Sequence, residues 1–195
     1  MGMTPEQFEE ITVLIVEDNV HTVSLISRIL RGFGVRTFVS AADGSEAFNV
    51  LKSRAVDLVI CDWNMKPVDG LRFARLVRRA ADSPNPFIPL IMLTAHAEAN
   101  RVEEARDSGV NEFLAKPISP AMLLARINSV FLHPREFIKT KDYFGPDRRR
   151  QNRPFGGPDR RRQGPKEMVV SDDEMKRMIG EEATEAGPAK DRKTA

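Results

Sequence analysis

Between Thr12 and about Leu132 a short apolar run is followed by an amphipathic stretch, and that unit recurs five times. The runs are Val13-Leu14-Ile15-Val16, Val35 to Val39, Leu58-Val59-Ile60-Cys61, Pro89 to Leu93 and Glu112-Phe113-Leu114. Short, mostly apolar and bounded by polar residues, they read as buried strands. The stretches between them carry helical spacing. Val23, Ile26, Leu30 and Phe33 make one stripe, with Gly32 and Gly34 as stop signals. Phe48 and Leu51 face inward from the second helix, and Leu71, Ala74 and Val77 from the third. The fourth, over 97–108, is mostly polar with Val102 and Ala105 and ends at Gly109; the fifth carries Leu123, Ile127 and Val130 behind Pro120. Strands alternating with helices predict an α/β fold, a doubly wound parallel sheet with right-handed crossovers. Such sheets bind ligands beyond the carboxyl ends of their strands.

The residues at those ends are therefore the informative ones. The first strand runs into Glu17-Asp18, the third into Asp62, the fourth into Thr94 and the fifth into Lys116-Pro117. Three carboxylates converging on one crevice repel one another and call for a cation. All-oxygen donors with room for water suit Mg²⁺. The Thr94 hydroxyl and the Lys116 ammonium add a donor and a positive charge, a set able to hold a phosphoryl oxyanion. Asp62, at the centre, is the natural nucleophile.

The runs Val13 to Asn19, Cys61-Asp62-Trp63-Asn64-Met65 with Asp69-Gly70, Leu93-Thr94-Ala95 and Phe113-Leu114-Ala115-Lys116-Pro117 together resemble the receiver domain of bacterial two-component response regulators, of the CheY-like kind. The resemblance covers residues 10–132. It implies a flavodoxin-like (βα)5 fold with strand order 2-1-3-4-5. It also implies a phosphoacceptor at Asp62 and Mg²⁺ held by Asp18, Asp62 and the backbone carbonyl of Asn64, with Glu17 acting directly or through water. Lys116 would pair with the phosphoryl group, Thr94 would move toward it, and Phe113 would change rotamer in response. Phe113 also has a plainer reading as a core residue of a short strand. The Lys116-Pro117 bond is often cis in this family. One departure stands out: Lys66 separates Met65 from Pro67, where many receivers place proline directly after the methionine.

Asn64 and His96, each two residues beyond a site residue, would flank the path of an attacking water and set the lifetime of the acyl phosphate; His96 reads equally as a solvated loop residue. The resemblance implies a donor that is a sensor histidine kinase or a histidine phosphotransfer protein. It also implies output through contact of the fourth helix, fifth strand and fifth helix with a protein target that the sequence does not identify. The expected activity is phosphoryl uptake and slow self-hydrolysis, a switch and not a turnover enzyme. A phosphatase of the haloacid-dehalogenase type needs a second aspartate two residues after the nucleophile, and Asn64 stands there. Neither G-x-G-x-x-G nor G-x-x-x-x-G-K-[ST] occurs, which removes the nucleotide-binding readings.

Composition narrows the setting. No apolar run approaches a membrane span, the opening residues lack a basic-then-apolar stretch, and Cys61 is the single cysteine. The expected location is cytoplasmic, with Cys61 a small buried hydrophobe and Trp63 partly exposed beside the acceptor. The net charge of +2 over 195 residues conceals an asymmetry: residues 1–138 sum to −2, residues 139–166 to +7 and residues 167–195 to −3.

Residues 133–195 read as a largely disordered tail. Gly-Pro-Asp-Arg-Arg-Arg occurs at 145–150 and again at 157–162. Arg148, Arg149, Arg150, Arg160, Arg161 and Arg162 are candidate contacts to nucleic acid, to an acidic protein or to solvent alone, and no helix-turn-helix stripe accompanies them. A receiver-controlled regulator that binds polyanions through these arginines is the alternative function. A capping box at Ser171 predicts a short helix over 172–182, with Met175, Met178 and Ile179 on one face as a docking surface or as a transient solvated turn.

Overall fold

In the computed structural model, residues 2–95 and 107–147 and the backbone of 168–170 are described. Five parallel strands, β1 (Thr12–Val16), β2 (Thr37–Ala41), β3 (Leu58–Asp62), β4 (Leu90–Thr94) and β5 (Glu112–Ala115), lie in the order β2-β1-β3-β4-β5. Helices α2 (Val20–Phe33), α3 (Gly44–Ser53), α4 (Gly70–Arg79) and α5 (Pro120–Leu132) cover the sheet. Side chains alternate along each strand, so one sheet feeds two cores. Leu14, Val16, Val59 and Cys61 join Phe48, Phe73 and Val77 on one face; Val13, Ile15, Leu58 and Ile60 join Ile26, Leu30 and Ile127 on the other. The expected fold and strand order are those observed. Cys61 is fully buried in an apolar core, and burial pushes its thiol well up, which makes it inert.

Local chemistry sets the helix starts. Asn19, Asp43, Asp69 and Ser119 cap α2, α3, α4 and α5 by accepting from first-turn N–H groups. The end of α2 corrects the β2 expectation. Gly34, at φ +110°, donates to Arg31, and Val35 donates to the Leu30 carbonyl, so Val35 closes the helix and the strand starts at Thr37; Gly32 lies inside the helix. A further helix, α1 (Pro5–Glu10), begins at a Thr4–Gln7 capping box and buries Phe8 against Phe33.

The ordered unit also runs past residue 132. Strands β6 (Phe137–Lys139) and β7 (Phe144–Pro146) form an antiparallel hairpin, and β8 (Met168–Val170) pairs with the other edge of β6. Phe137 and Phe144 meet Phe87 edge-on at 5.1 Å each. Beneath them Arg78, on the inner side of α4, donates to the carbonyls of Gly109 and Pro86 and to Asn111 Oδ1, and stacks on Phe137. Residues 140–147, including the Gly-Pro-Asp of the first repeat, thus belong to the folded body, although the sequence places them in the tail. Three aromatic rings supply the apolar burial that a Gly- and Pro-rich segment lacks by itself. Arg148, Arg149, Arg150, Arg160, Arg161, Arg162, Met175, Met178 and Ile179 lie outside the described residues, as do His96 and most of 97–108.

Candidate functional site

The strand ladders extend one residue beyond the strands themselves and carry the site. Glu17 N–H donates to Ala41, Trp63 N–H to Leu93 and Lys116 N–H to Thr94. This brings Glu17, Asp62, Thr94 and Lys116 to the same edge of the sheet. All but Lys116 are buried, whereas Asp18 and Asn64 are exposed.

Lys116 Nζ lies 2.8 Å from Glu17 Oε2 and 2.8 Å from Asp62 Oδ1. One ammonium therefore bridges two nearly buried carboxylates. The other Asp62 oxygen accepts the Asn64 N–H at 3.1 Å, and Glu17 Oε1 accepts the Asn19 N–H at 3.3 Å. Burial raises the Glu17 pKa, with Asp62 adding to the rise against the opposing pull of Lys116. Lys116 is raised in turn: burial opposes its charge, but the two carboxylates outweigh burial. A carboxylate whose folded pKa is raised binds protons more readily in the native state, so its charge costs stability at neutral pH. Glu17→Gln is accordingly expected to raise stability at pH 7 in chelator, with the gain shrinking as pH falls into the ordinary carboxylate range. Urea unfolding at several pH values checks this; a gain that grows toward acid contradicts it.

Phe113 is half-buried against the core that contains Cys61 and Trp63. Trp63 itself is 8% exposed, not the partly exposed ring expected from its position beside Asp62. The reason is the period of two along β3: Trp63 extends the Val59–Cys61 row into the core beneath the site. The Lys116–Pro117 bond is cis, and so is Lys66–Pro67.

Two neighbours have roles at the site that the sequence did not show. Gly70, first residue of α4, donates its N–H to Trp63, and a Cβ there would overlap the Asp62 carbonyl oxygen, so only glycine lets the helix close on the acceptor strand. Glu46 joins Glu17 and Asp18 around an open recess of about 240 Å³ whose other walls include Ser40 and Val23. Its signal was the Asp43-x-x-Glu46 cap, and the Glu46 carboxylate accepts the Ala42 N–H.

The donors fit a hard cation. Among the described residues no group of three or more His, Cys, Asp or Glu side chains is placed to hold a metal ion by itself. Two buried carboxylates, exposed Asp18 and a backbone carbonyl suit Mg²⁺, which keeps several waters and takes few protein ligands. Among the described residues no helix is long and apolar enough to cross a membrane.

A 2-1-3-4-5 parallel sheet that gathers acidic groups, a threonine and a lysine at its strand ends defines a receiver-type α/β domain. The chain belongs to the response regulator receiver domain family, whose model matches residues 13–128. It is 34% identical over 119 residues to the chemotaxis protein CheY of Pseudomonas aeruginosa, covering 61% of this chain and 94% of that one. Two solved structures are similar at 30% identity. One is the receiver domain of a sensor histidine kinase from Pseudomonas aeruginosa with a magnesium ion in its active-site cleft (TM-score 0.54, covering 63% of this chain and 97% of that one). The other is a CheX–CheY–BeF3–Mg²⁺ complex from Borrelia burgdorferi (TM-score 0.57, 62% and 89%).

Proposed function

We propose that this receiver is a phosphorylation switch whose acceptor is Asp62. The observation that carries the reading is the bridge from Lys116 to both Glu17 and Asp62 at 2.8 Å. It keeps an anionic acceptor paired and poised at the end of the central strand, next to a crevice of oxygen donors. One Asp62 oxygen attacks the phosphorus of a phosphohistidine or acyl phosphate; the bond from phosphorus to the donor breaks and the donor leaves with the electron pair. The incoming dianion then competes with Glu17 for Lys116 and offers an acceptor to the Thr94 hydroxyl. Asp18, Asp62, the Asn64 carbonyl and Glu17, directly or through water, would hold Mg²⁺, which supplies charge neutralisation at the transferring group.

Movement of Thr94, with Phe113 following, biases the face of β5 and α5, where a protein target docks. A sensor histidine kinase or histidine phosphotransfer protein is the donor, and Asn64 with His96 tunes the decay. Thermal melts with Mg²⁺ and beryllium fluoride test the reading without any donor protein. The wild-type Tm is expected to rise by several degrees over Mg²⁺ alone, and Asp62→Asn to show no such rise. An equal rise in both proteins would refute the assignment.

A further inference from the structure

A second cavity, of about 280 Å³, lies where the hairpin of β6 and β7 meets the last turn of α4. Its wall residue Pro86 stands ahead of β4, at the amino end of the sheet and opposite the crevice of Asp62. Arg79, from α4, and Lys139 and Lys141, from the hairpin, line it and are exposed. No carboxylate lines the cavity, and among the described residues none forms an ion pair with these three cations. Asp82, three residues beyond Arg79, is bound to Lys52 instead. Pro86, Tyr143 and Phe144 add apolar and ring surface to the wall. The setting is preformed. Thr140 N–H donates to Tyr143 O at 2.8 Å and Tyr143 N–H to Thr140 Oγ1 at 3.0 Å, closing the turn that carries Lys141. Arg79 Nη1 donates to Asp142 O at 3.3 Å and ties the helix to that turn. The α4-end carbonyls of Leu76, Val77 and Ala80 already accept from Ala80 N–H, Ser83 Oγ and Ser83 N–H, so the helix terminus does not consume the cations.

We infer that this cavity binds a small phosphate ester that carries one flat ring, of the size of a nucleoside monophosphate. Three cations without counter-charge in a concave, partly apolar setting concentrate anions there. The Arg79 guanidinium and the two ammonium groups suit phosphate oxygens, the arginine by its fork and the lysines as point charges. The Tyr143 hydroxyl is committed to Pro146 O at 2.6 Å, which leaves its ring as the surface a planar group meets. The volume is slightly below the about 300–1,000 Å³ of common small-molecule sites, which gives room for one ring and one phosphate and not for a dinucleotide. Asp62 and Mg²⁺ take no part in this site.

The test is a titration of the nitrogen-15-labelled full chain with AMP, followed by amide chemical shifts in chelator at low salt. Binding is expected with a Kd below about 1 mM, with the shifts concentrated at Arg79 and residues 139–144. K139Q/K141Q, both exposed positions, should keep the wild-type Tm and bind at least about tenfold more weakly. Asp62→Asn should bind AMP as wild type does, which separates this site from the phosphoacceptor. Ribose 5-phosphate, without the ring, and adenosine, without the phosphate, should each bind at least about tenfold more weakly than AMP. Unchanged affinity in K139Q/K141Q, ribose 5-phosphate or inorganic phosphate binding as tightly as AMP, or no shifts at millimolar AMP would overturn the inference.

Discussion

Lys116→Met is expected to lower the stability of the receiver by about 2–3 kcal/mol at pH 7 in chelator. Glu17 and Asp62 would lose the cation they share, leaving two carboxylates of 4% and 6% exposure to repel each other. Removing one partner of a fully buried pair costs about 3–5 kcal/mol; the lysine side chain is 27% exposed, which lets water take up part of the loss. Urea unfolding measures the change. Addition of Mg²⁺ should restore more stability to the variant than it adds to wild type, because a divalent ion then meets an uncompensated acidic pair. A loss under about 0.5 kcal/mol, the range of ordinary surface substitutions, contradicts the bridging role. Phosphoryl uptake in the variant should be slow as well, since the ammonium that faces the acceptor is gone.

The second large effect lies away from the acidic crevice. Arg78 is 3% exposed, and its guanidinium is held by Gly109 O at 2.9 Å, Pro86 O at 2.7 Å and Asn111 Oδ1 at 2.8 Å. Burial pulls its pKa down to about 9, which still leaves it cationic at neutral pH. Arg78→Met keeps much of the stem and removes these donors. Asn111 Oδ1 retains the Leu90 N–H, whereas the two carbonyls lose their guanidinium partner in a closed site. At about 1–3 kcal/mol for each buried group left unsatisfied, the expected loss is about 3–5 kcal/mol and a Tm lower by roughly 10 °C. The hairpin should loosen with it, because Phe137 lies over the guanidinium at 5.2 Å. Amide exchange of β6 and β7 reads this directly. A Tm within about 2 °C of wild type would show that the hairpin and α4 are independent.

The contrast between these two residues shows what the sequence made legible. Asp62 and Lys116 stand at the ends of apolar runs, so the strand pattern alone brings them to one edge; the fold then follows from the order of five repeated units. Arg78 gives no such signal. It sits among Arg72, Arg75 and Arg79 in one helix, and only contacts far along the chain, at Gly109 and Asn111, separate it from the exposed arginines. The hairpin was illegible for the same reason: Phe137 and Phe144 lie in a segment rich in Gly, Pro and charge, and their burial depends on Phe87, fifty or more residues earlier. Trp63 was misread because its neighbour Asp62 faces the crevice, and adjacent strand residues face opposite ways. Gly70 was noted as part of a motif, but its closeness to the Asp62 carbonyl is a packing fact visible only in three dimensions.

The central claim is that Asp62 accepts a phosphoryl group. Incubation of the full chain with acetyl phosphate and Mg²⁺, followed by peptide mass spectrometry, tests it directly. The account predicts an acid-stable but base- and hydroxylamine-labile phosphoryl group on the peptide that contains Asp62, lost when chelator replaces Mg²⁺ and lost in Asp62→Asn. Labelling that persists in Asp62→Asn, or that maps to a peptide without Asp62, would contradict it.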